Sequence, residues 1–290
     1  MTEPWGVDSE HGRLLDVLLC PPDNFRWLPT SAISRATLEF GHRFDSDAAR
    51  AQHAEMVSVY EGAGVRCNFL EPDPALPYQV FTRDSSVMTP SGAVVTQLHQ
   101  WWRRGEYAPV VGFLERSEIP VRGMITAGAL EGGDAMIVEP RTMLIGAGEE
   151  RTQQVAAEQL AGWMREDGWE VRVEPIPARY VHIDVLCAIL GDKLAAVCTD
   201  AVSAALVGWL RGKGFDLIEF RAEDAFRLGG NAISLGDERI LSSAGGAELN
   251  DALRARGLTV YDPDLSMFTL GGGGAHCLGQ ALRRERLGSG

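Results

Sequence analysis

The sequence lacks long apolar runs and is poor in positive charge. No stretch approaches the roughly 18 consecutive apolar residues that a membrane-spanning helix needs. Lys and Arg together number 27 against 40 Asp and Glu, which leaves a formal net charge of −13. Because a surface of this sign repels phosphate backbones and anionic lipids, we expect no nucleic-acid partner and no membrane association. The charge suits a cationic small-molecule substrate.

Cysteine is also sparse, and its spacing does not match a disulfide framework or a zinc site. The cysteines are odd in number, and no CxxC pair or Cys/His cluster of zinc spacing occurs. They are Cys20, Cys67, Cys187, Cys198 and Cys277. We expect free thiols, the first four of them in the core, and no metal or organic cofactor. Since the N-terminal stretch MTEPWGVDSEHGR is polar and acidic, unlike a signal peptide, the sequence predicts a cytoplasmic protein.

Five short segments recur along the chain at nearly constant spacing. Each ends in a polar residue after an apolar or Gly-rich approach, and neighbouring end residues lie 46 to 50 positions apart. The end residues are Asp84, Asp134, His182, Asn231 and Cys277. The first four segments are each followed by two apolar stretches around a turn, SGA, EPR, GDK or GDE. This pattern predicts a β-hairpin after each of them.

Helical patterns come after the predicted hairpins, and one more apolar stretch follows each helix. Apolar spacings of three and four predict helices over residues 46–63, 108–116, 151–166, 201–213 and 247–256. The sequence therefore predicts an α/β fold of about five strand–strand–helix–strand units in a single domain over residues 1–290. The N-terminal strand LLDVLLC would close the units into a ring without free sheet edges. The alternative is an ordinary α/β chain in which the spacing is coincidental.

In such a ring, the polar end residues and their neighbours would meet on the central axis. The set combines one thiol, two imidazoles, an arginine and several carboxylates: Arg83, Asp84, Glu131, Asp134, His182, Asp184, Asn231, His276 and Cys277. Carboxylates gathered in one place require a cation. A guanidinium fits this mixed set better than a metal ion does, because its planar fork of N–H donors binds carboxylates bidentately.

The thiol and the imidazole then have chemical roles. The guanidinium carbon is a poor electrophile, and a thiolate is a strong nucleophile that forms more readily beside positive charge. Histidine can protonate the departing amine and then activate water. The sequence favours Cys277 as nucleophile and His182 as acid/base, with Asp184 on the same strand face as His182.

Four motifs resemble those of the guanidino-group-modifying superfamily. They are FTRD at Asp84, EGGD with Glu131 and Asp134, HID with His182 and Asp184, and GGGGAHC at Cys277. That superfamily includes arginine deiminases, agmatine deiminases, dimethylarginine dimethylaminohydrolases and amidinotransferases. The motifs occur in the family order from residue 81 to about 280. The resemblance implies a five-bladed α/β-propeller, the pentein fold.

The resemblance also assigns roles to individual residues. It implies that Cys277 forms a covalent thiouronium intermediate, that His182 is the general acid/base and that Glu131 is its carboxylate partner. It implies that Asp84 and Asp184 bind the substrate guanidinium. WWRRGE is similar to an SRR–E segment of the dimethylarginine hydrolases, and ERT is similar to a basic position of the deiminases. By this likeness Arg104 and Arg151 would bind the substrate carboxylate.

Several positions depart from the family pattern or keep two interpretations. Tyr78 stands where an acidic residue is frequent, and HID favours the deiminases and amidinotransferases over the dimethylarginine hydrolases. Asp134 and Asn231 are either plain turn residues or supporting groups behind the reacting atoms. His276 is equally a supporting group or a catalytic one. Trp101 and Trp102 either pack in the core or form a lid beside the pocket, and we expect the core.

The sequence thus predicts a hydrolase of the guanidino C–N bond of arginine or an N-methylated arginine, which releases citrulline and ammonia or methylamine. The first alternative is an amidinotransferase, which would pass the amidino group to an amine acceptor. The second is a non-catalytic binding module on the same propeller. A dihydrolase that yields ornithine is disfavoured because Asp84 is retained. By resemblance, a homodimer is expected.

Overall fold

Short strands and helices alternate along residues 4–287, the part of the chain that the computed structural model describes. The strands are β1 (Leu14–Leu19), β2 (Arg66–Phe69), β3 (Ser86–Thr89), β4 (Gly92–Val95), β5 (Val121–Met124), β6 (Ala135–Glu139), β7 (Thr142–Ala147), β8 (Glu170–Pro175), β9 (Cys187–Gly191), β10 (Leu194–Cys198), β11 (Asp216–Phe220), β12 (Ile233–Gly236), β13 (Arg239–Leu241), β14 (Thr259–Tyr261) and β15 (Gln280–Arg284). The helices are α1 (Ala32–Glu39), α2 (Ser46–Gly62), α3 (Tyr107–Arg116), α4 (Gln154–Glu166), α5 (Ala204–Gly212), α6 (Ala222–Phe226), α7 (Ala247–Arg254) and α8 (Ser266–Thr269).

The strands of this described region form five separate sheets of three strands each. Their orders are β15-β1-β2, β3-β4-β5, β6-β7-β8, β9-β10-β11 and β12-β13-β14. In every sheet the middle strand pairs antiparallel with one neighbour and parallel with the other. The antiparallel pair is a hairpin in four sheets, and the parallel partner follows a helical crossover, as parallel pairing requires. The strand–strand–helix–strand unit is confirmed.

The two ends of the chain meet in one sheet. β1 pairs antiparallel with β15, with Val17 opposite Ala281 and Leu18 opposite Gln280, and it pairs parallel with β2. The N-terminal strand therefore completes the sheet that the last segment begins, as the sequence predicts. This pairing covers what would otherwise be a free strand edge.

All four predicted hairpin turns contain residues with a positive φ angle, including Gly92 with φ 119° in the SGA turn. Arg141 has φ 63° in the EPR turn and Lys193 has φ 53° in the GDK turn. Asp237 and Glu238, in the GDE turn, have φ values of 52° and 58°. Two successive positive φ angles are the signature of a type I′ turn, whose twist matches that of the flanking strands.

The helices begin and end close to their predicted positions, although α4 and α5 each begin three residues later than predicted. α4 begins at Gln154, three residues later than the predicted start at 151, because Arg151 and Thr152 stay in the preceding loop. There the Thr152 hydroxyl accepts the backbone N–H of Glu131 at 3.1 Å. The later start leaves the Arg151 side chain free to reach the central region. α1, α6 and α8 lie outside the predicted units.

Apolar side chains fill the space between the sheets and the helices. The inner face of α4 is typical, with Ala156, Leu160 and Met164 buried at spacings of four. Cys20, Cys187 and Cys198 are buried as expected, whereas Cys67 is only partly buried. These four thiols and that of Cys277 form no disulfide. Among the described residues, no helix combines the length and the apolar character needed to cross a membrane.

The prediction for the two tryptophans is wrong for one of them. Trp101 is 80% exposed on the surface. Trp102 is partly buried and packs edge-on against Tyr78, with ring centroids 5.0 Å apart. Neighbouring aromatic residues that look equivalent in the sequence therefore point in different directions, because the chain turns between them.

Candidate active site

Three short 3-10 turns carry most of the acidic residues of the site. They are Thr82–Ser85, Gly132–Asp134 and Ile183–Val185, and each comes just before the first strand of a sheet. The sequence predicts these polar residues at strand ends, whereas the structure places them in the tight turns that lead into the strands. A turn of this kind aims successive side chains in several directions, so one motif supplies more than one group to the site.

Glycine in the EGGD motif permits the close approach of two of these turns. A Cβ atom on Gly133 would lie 2.5 Å from Nδ1 of His182. Any side chain at this position would displace the imidazole. The second Gly of the motif is therefore required for packing against His182, a contact that the sequence does not reveal.

His182 lies between two carboxylates in a fully buried setting. Its Nε2 is 2.9 Å from Oε2 of Glu131, and its Nδ1 is 3.6 Å from Oδ1 of Asp84. Burial disfavours the charged imidazole, but Asp84, Asp134 and Glu131 outweigh it and raise the pKa of His182 to about 10. His182 is therefore protonated at neutral pH in this state, which suits a general acid.

Three cationic side chains surround the Glu131 carboxylate: Arg103, Arg151 and His182. Burial alone would raise its pKa, yet Arg151, His182 and Arg103 together hold the pKa of Glu131 well below its usual range. Nη1 of Arg151 donates to its Oε2 at 3.0 Å, and the backbone N–H of His99 donates to its Oε1 at 3.1 Å. Glu131 is an ionised anchor for His182.

The Cys277 thiol lies beside a carboxylate rather than beside a cation. Its Sγ is 3.6 Å from Oδ2 of Asp184. Burial, followed by the charges of Asp184 and Asp84, raises the pKa of Cys277 well above its usual value. Without a ligand the thiol is neutral, and its ionisation requires added positive charge.

Asn231 connects the nucleophile loop to Asp184. Its Oδ1 accepts the backbone N–H groups of His276 at 3.0 Å and of Cys277 at 3.3 Å. Its Nδ2 donates to the backbone oxygen of Asp184 at 3.2 Å. A Cβ on Gly274 would come within 2.7 Å of the same Oδ1. Asn231 thus fixes backbone geometry on both sides of the thiol.

Asp134 and His276 also lie behind the reacting groups. Oδ1 of Asp134 accepts the backbone N–H of Ile183 at 2.8 Å, which fixes the turn between His182 and Asp184. Burial raises the pKa of Asp134 to about 7. Nδ1 of His276 is 2.7 Å from Oδ2 of Asp184. Both residues therefore support the site through neighbours.

The two consecutive arginines of WWRRGE differ sharply in position. Arg103 is buried; its Nη1 donates to Asp84 at 2.8 Å, and its Nε and Nη2 donate to the two oxygens of Glu106 at 2.9 and 2.7 Å. Arg104 is exposed and does not line the cavity that contains Cys277. The prediction that Arg104 and Arg151 lie together is therefore wrong. Arg103 lines the cavity with Arg151 instead, because the turn at 104–106 leaves Arg103 buried and Arg104 exposed.

Sequence reasoning missed Arg103, Glu106 and Glu10. Arg103 and Glu106 carry a local signal, since an Arg and a Glu three residues apart face one another on a helical turn. Burial raises the pKa of Glu106 to about 7, against the opposing effect of Arg103. Glu10 carries no such signal, because its partners are far away in the sequence.

A narrow cavity of about 20 Å³ contains both Cys277 and His182. Without a ligand, this volume admits about one water molecule. Its lining combines charged groups with an aromatic wall and glycines: Thr30, Ser31, Tyr78, Phe81, Asp84, Arg103, Arg151, Val181, His182, Gly271, Gly272, Gly273 and Cys277. The Tyr78 hydroxyl accepts the backbone N–H of Leu28 at 3.1 Å and lies 3.3 Å from the oxygen of Gly271. Tyr78 therefore supplies an apolar ring to the cavity rather than a charge.

A metal ion is a possible occupant on geometry alone. One atom each of Asp84, Glu131 and His182 lies within 4.8 Å of the others. The guanidinium groups of Arg103 and Arg151 already contact these two carboxylates. A divalent ion would have to approach two fixed positive charges, so the donor set fits an organic cation better.

Solved structures with the same fold belong to enzymes of arginine chemistry. The N-terminal domain of ArgZ, described as an arginine dihydrolase from the ornithine-ammonia cycle in cyanobacteria, superposes with a TM-score of 0.81 at 21% identity, covering 93% of this chain and 98% of that one. A DDAH from Pseudomonas aeruginosa complexed with citrulline superposes with a TM-score of 0.78 at 22% identity, covering 92% and 98%. At these identities the likeness shows the fold alone.

The sequence narrows this class further. Residues 29–284 match the family described as N,N dimethylarginine dimethylhydrolase, eukaryotic, and the chain belongs to that family. It is also similar to the N(G),N(G)-dimethylarginine dimethylaminohydrolase of Mycobacterium tuberculosis, at 30% identity over 80% of this chain and 75% of that protein. The chain is thus an enzyme of the hydrolase class that acts on C–N bonds of linear amidines.

Proposed function

We propose that the chain is a cysteine hydrolase that cleaves a guanidino C–N bond of arginine or an N-methylated arginine. The main support for this proposal is a pair of carboxylate oxygens that lack a hydrogen-bond partner. Oδ1 of Asp84 and Oδ1 of Asp184 are buried and have no hydrogen-bond partner among residues 4–287. A planar cation with several N–H donors would satisfy both, and either oxygen alone would be costly to leave unpaired. Asp184 contacts the thiol, and Asp84 lines the cavity of the thiol.

Substrate binding would prepare the first chemical step. The positive guanidinium charge beside the thiol lowers the pKa of Cys277, so that the thiol proton leaves to solvent as the cation binds. The sulfur then attacks the guanidinium carbon and forms a C–S bond. His182, protonated in the free enzyme, donates its proton to the departing nitrogen, and the C–N bond breaks. The products of this step are ammonia or methylamine and a thiouronium on Cys277.

Hydrolysis would follow with the same imidazole in the opposite role. Neutral His182 takes a proton from water, and the hydroxide oxygen bonds to the thiouronium carbon. The C–S bond then breaks as the proton of the added hydroxyl passes to the departing sulfur, which releases citrulline and restores the neutral Cys277 thiol and the protonated His182. Glu131 holds the imidazole in both steps through its 2.9 Å contact. No metal or organic cofactor enters these steps.

The far end of the substrate requires a cationic partner. Arg151 lines the cavity and is the proposed ligand of the α-carboxylate. Arg104 does not share this cavity. In Arg103 all three guanidinium nitrogens already engage Asp84 or Glu106. Arg151 donates to Glu131 through Nη1. We therefore propose that Arg103 orients the guanidinium-binding carboxylate Asp84, and that Arg104 has no part in binding.

The arrangement of the five sheets, the oligomeric state and the cellular location belong to the same proposal. The five sheets are proposed to be the blades of a five-bladed α/β-propeller, closed by the pairing of β1 with β15, in one catalytic domain over residues 1–290. The homodimer and the cytoplasmic location stay predictions of the sequence.

A citrulline colour assay tests the function directly. Purified protein is incubated with arginine, monomethylarginine, dimethylarginine and agmatine, and released citrulline or its decarboxylated analogue is measured. Turnover of at least one of the arginines supports the proposal, and the ranking identifies the substrate. Ornithine formed only when glycine or lysine is added would instead establish amidino transfer. No product in any arm would contradict both activities and favour the binding module.

A pair of thiol reagents tests the proposed activation of the nucleophile. Cationic 2-chloroacetamidine carries an amidinium that the unsatisfied carboxylates can bind, whereas neutral iodoacetamide carries none. We expect chloroacetamidine to inactivate the protein much faster although it is the weaker alkylating agent, with the label on Cys277. Equal or faster labelling by iodoacetamide would show that the site provides no cation recognition.

A further inference from the structure

A chain of charged contacts runs from Cys277 away from the substrate cavity toward the N-terminal segment. Oδ2 of Asp184 is 3.6 Å from the Cys277 sulfur and 2.7 Å from Nδ1 of His276. Nε2 of His276 is 3.7 Å from Oε2 of Glu10, and Oε1 of Glu10 is 3.3 Å from Nη2 of Arg83. All five side chains are buried.

Glu10 enters this chain from an unexpected part of the molecule. It precedes β1, outside the repeated units, and lines a narrow space together with Asp184 and His276. The substrate cavity, in contrast, is lined by Cys277 and His182 but by neither Glu10 nor His276. Glu10 is therefore not among the residues that would touch a ligand of that cavity, and His276 is the side chain that connects it to Asp184.

We propose that Glu10 is a positioning residue of the active site, which acts through His276 to hold the Asp184 carboxylate in one orientation beside the Cys277 thiol. The inference rests on the proposed function only for the identity of the cation that Asp184 receives. Oδ2 of Asp184 is occupied by His276, and Oδ1 is the oxygen left without a partner. The carboxylate torsion is soft and nearly two-fold, so a fixed imidazole on one oxygen decides which oxygen faces the substrate.

The charge of His276 makes this arrangement electrostatically possible. Burial and the Arg83 guanidinium both oppose a protonated imidazole, but Asp184 and Glu10 raise the pKa of His276 above its usual value. The charge of His182 also lowers the pKa of Asp184, and the charge of Arg284 lowers the pKa of Glu10. The imidazolium lies 2.7 Å from Asp184, within hydrogen-bond distance, and a hydrogen bond to a charged acceptor is stronger than one to a neutral acceptor. Glu10, at 3.7 Å, attracts the same positive charge without a hydrogen bond.

The test compares Glu10→Gln with Glu285→Gln. The first substitution keeps the side-chain shape and removes the charge next to His276; the control removes a carboxylate from an exposed pair with Arg13. The pKa of each histidine is measured by NMR on protein with labelled histidine, and the His276 resonance is assigned by its loss in His276→Gln. We expect Glu10→Gln to lower the pKa of His276 by about one unit or more and to leave the pKa of His182 unchanged. The control should change neither.

Kinetics supply the second readout. In Glu10→Gln we expect KM for the guanidino substrate to rise about tenfold, with the alkaline limb of the pH profile at lower pH. An unchanged His276 pKa together with unchanged kinetics would overturn the inference and leave the proposed function intact. If wild-type protein hydrolyses no guanidino compound, the proposed function fails, and the NMR shift still decides the inference by itself.

A second variant covers the case in which Glu10→Gln does not fold. His276→Gln keeps an amide donor toward Asp184 but carries no charge. We expect it to raise KM about tenfold and to remove the alkaline limb that Glu10→Gln displaces. Wild-type KM and an unchanged pH profile in this variant would overturn the proposal.

Discussion

The central site and the surrounding sheet–helix layers bury their side chains for opposite reasons. In the layers, α4 buries Ala156, Leu160 and Met164 against β8, and each contact removes apolar surface from water. At the centre, Arg103, Glu131 and His182 are equally buried although each is charged. Burial of these groups is unfavourable unless every charge has a partner.

This contrast between apolar layers and a buried charged centre locates the functional region even without the sequence motifs. In the layers, apolar packing is complete in itself. In the centre, most charges pair with one another, but several buried polar atoms have no hydrogen-bond partner among the described residues. Two of these are oxygens of Asp184, which contacts the thiol, and of Asp84, which lines the cavity of the thiol. A site that is complete except for a cation indicates what it binds. Substitutions in the centre should therefore affect chemistry first, and those in the layers should affect stability first.

The largest expected effect is the loss of the nucleophile. Cys277→Ser should reduce turnover by roughly 10⁴-fold or more, because a hydroxyl is far less acidic and less nucleophilic than a thiol. Substrate binding, followed by calorimetry, should persist because the carboxylates are unchanged. Cys67→Ser, on β2 and away from the centre, is the matched control and should keep its activity. Turnover of Cys277→Ser within a few-fold of wild type would mean that another group is the nucleophile.

The second prediction concerns pH and the stability of the centre. His182 has a folded-state pKa of about 10 against an ordinary 6.5. Its stabilising charge is fully present below pH 6.5 and is lost as pH rises toward 10. Between these limits, wild type should lose up to about 5 kcal/mol of unfolding free energy relative to His182→Gln. Urea unfolding at pH 6, 8 and 10 measures the difference; parallel pH curves for the two proteins would rule out a charged, stabilising His182.

The third prediction concerns the layers. Leu160→Ala leaves a cavity under α4 and should cost about 2–5 kcal/mol of unfolding free energy. Val155→Ala on the same helix, at a side chain that is 58% exposed, should cost less than about 0.5 kcal/mol. KM of the folded protein should be unchanged in both. A Leu160→Ala protein with native stability but altered KM would break the distinction between layers and centre.

The smallest predicted effect comes from the adjacent arginines. Arg103→Lys removes the planar fork that holds Asp84 and Glu106, and should lower kcat/KM by about 10- to 100-fold. Arg104→Lys should stay within about two-fold, because the side chain is exposed outside the cavity. Steady-state kinetics of the two variants settle the point. Equal losses in both would show that Arg104 enters the site on binding.

These neighbouring residues also show where sequence reasoning stops. The motifs correctly indicate Asp84, Glu131, His182, Asp184 and Cys277 as one group, since the repeat spacing is set by the length of a supersecondary unit. The choice between Arg103 and Arg104, and between Trp101 and Trp102, depends on where a short turn begins. One residue of difference there rotates a side chain from the centre to solvent.

Glu10 illustrates a different limit. It belongs to no motif and to no repeated unit, and it reaches Arg83 and His276 only because β1 pairs with β15 and carries the preceding segment to the centre. Long-range contacts of this kind depend on the pairing of the two ends of the chain, and local sequence patterns do not predict them.

The sequence by itself determined the repeated unit, the hairpin turns, the reactive residue types and the preference for a cationic substrate. Each follows from local periodicity, turn chemistry or charge, which act over a few residues. Only the tertiary structure decided the ionisation of His182, the neutral state of the free thiol, the buried place of Arg103 and the two unsatisfied oxygens. Those properties depend on which charges burial brings within a few ångströms, and that distance is fixed by packing between units distant in the chain.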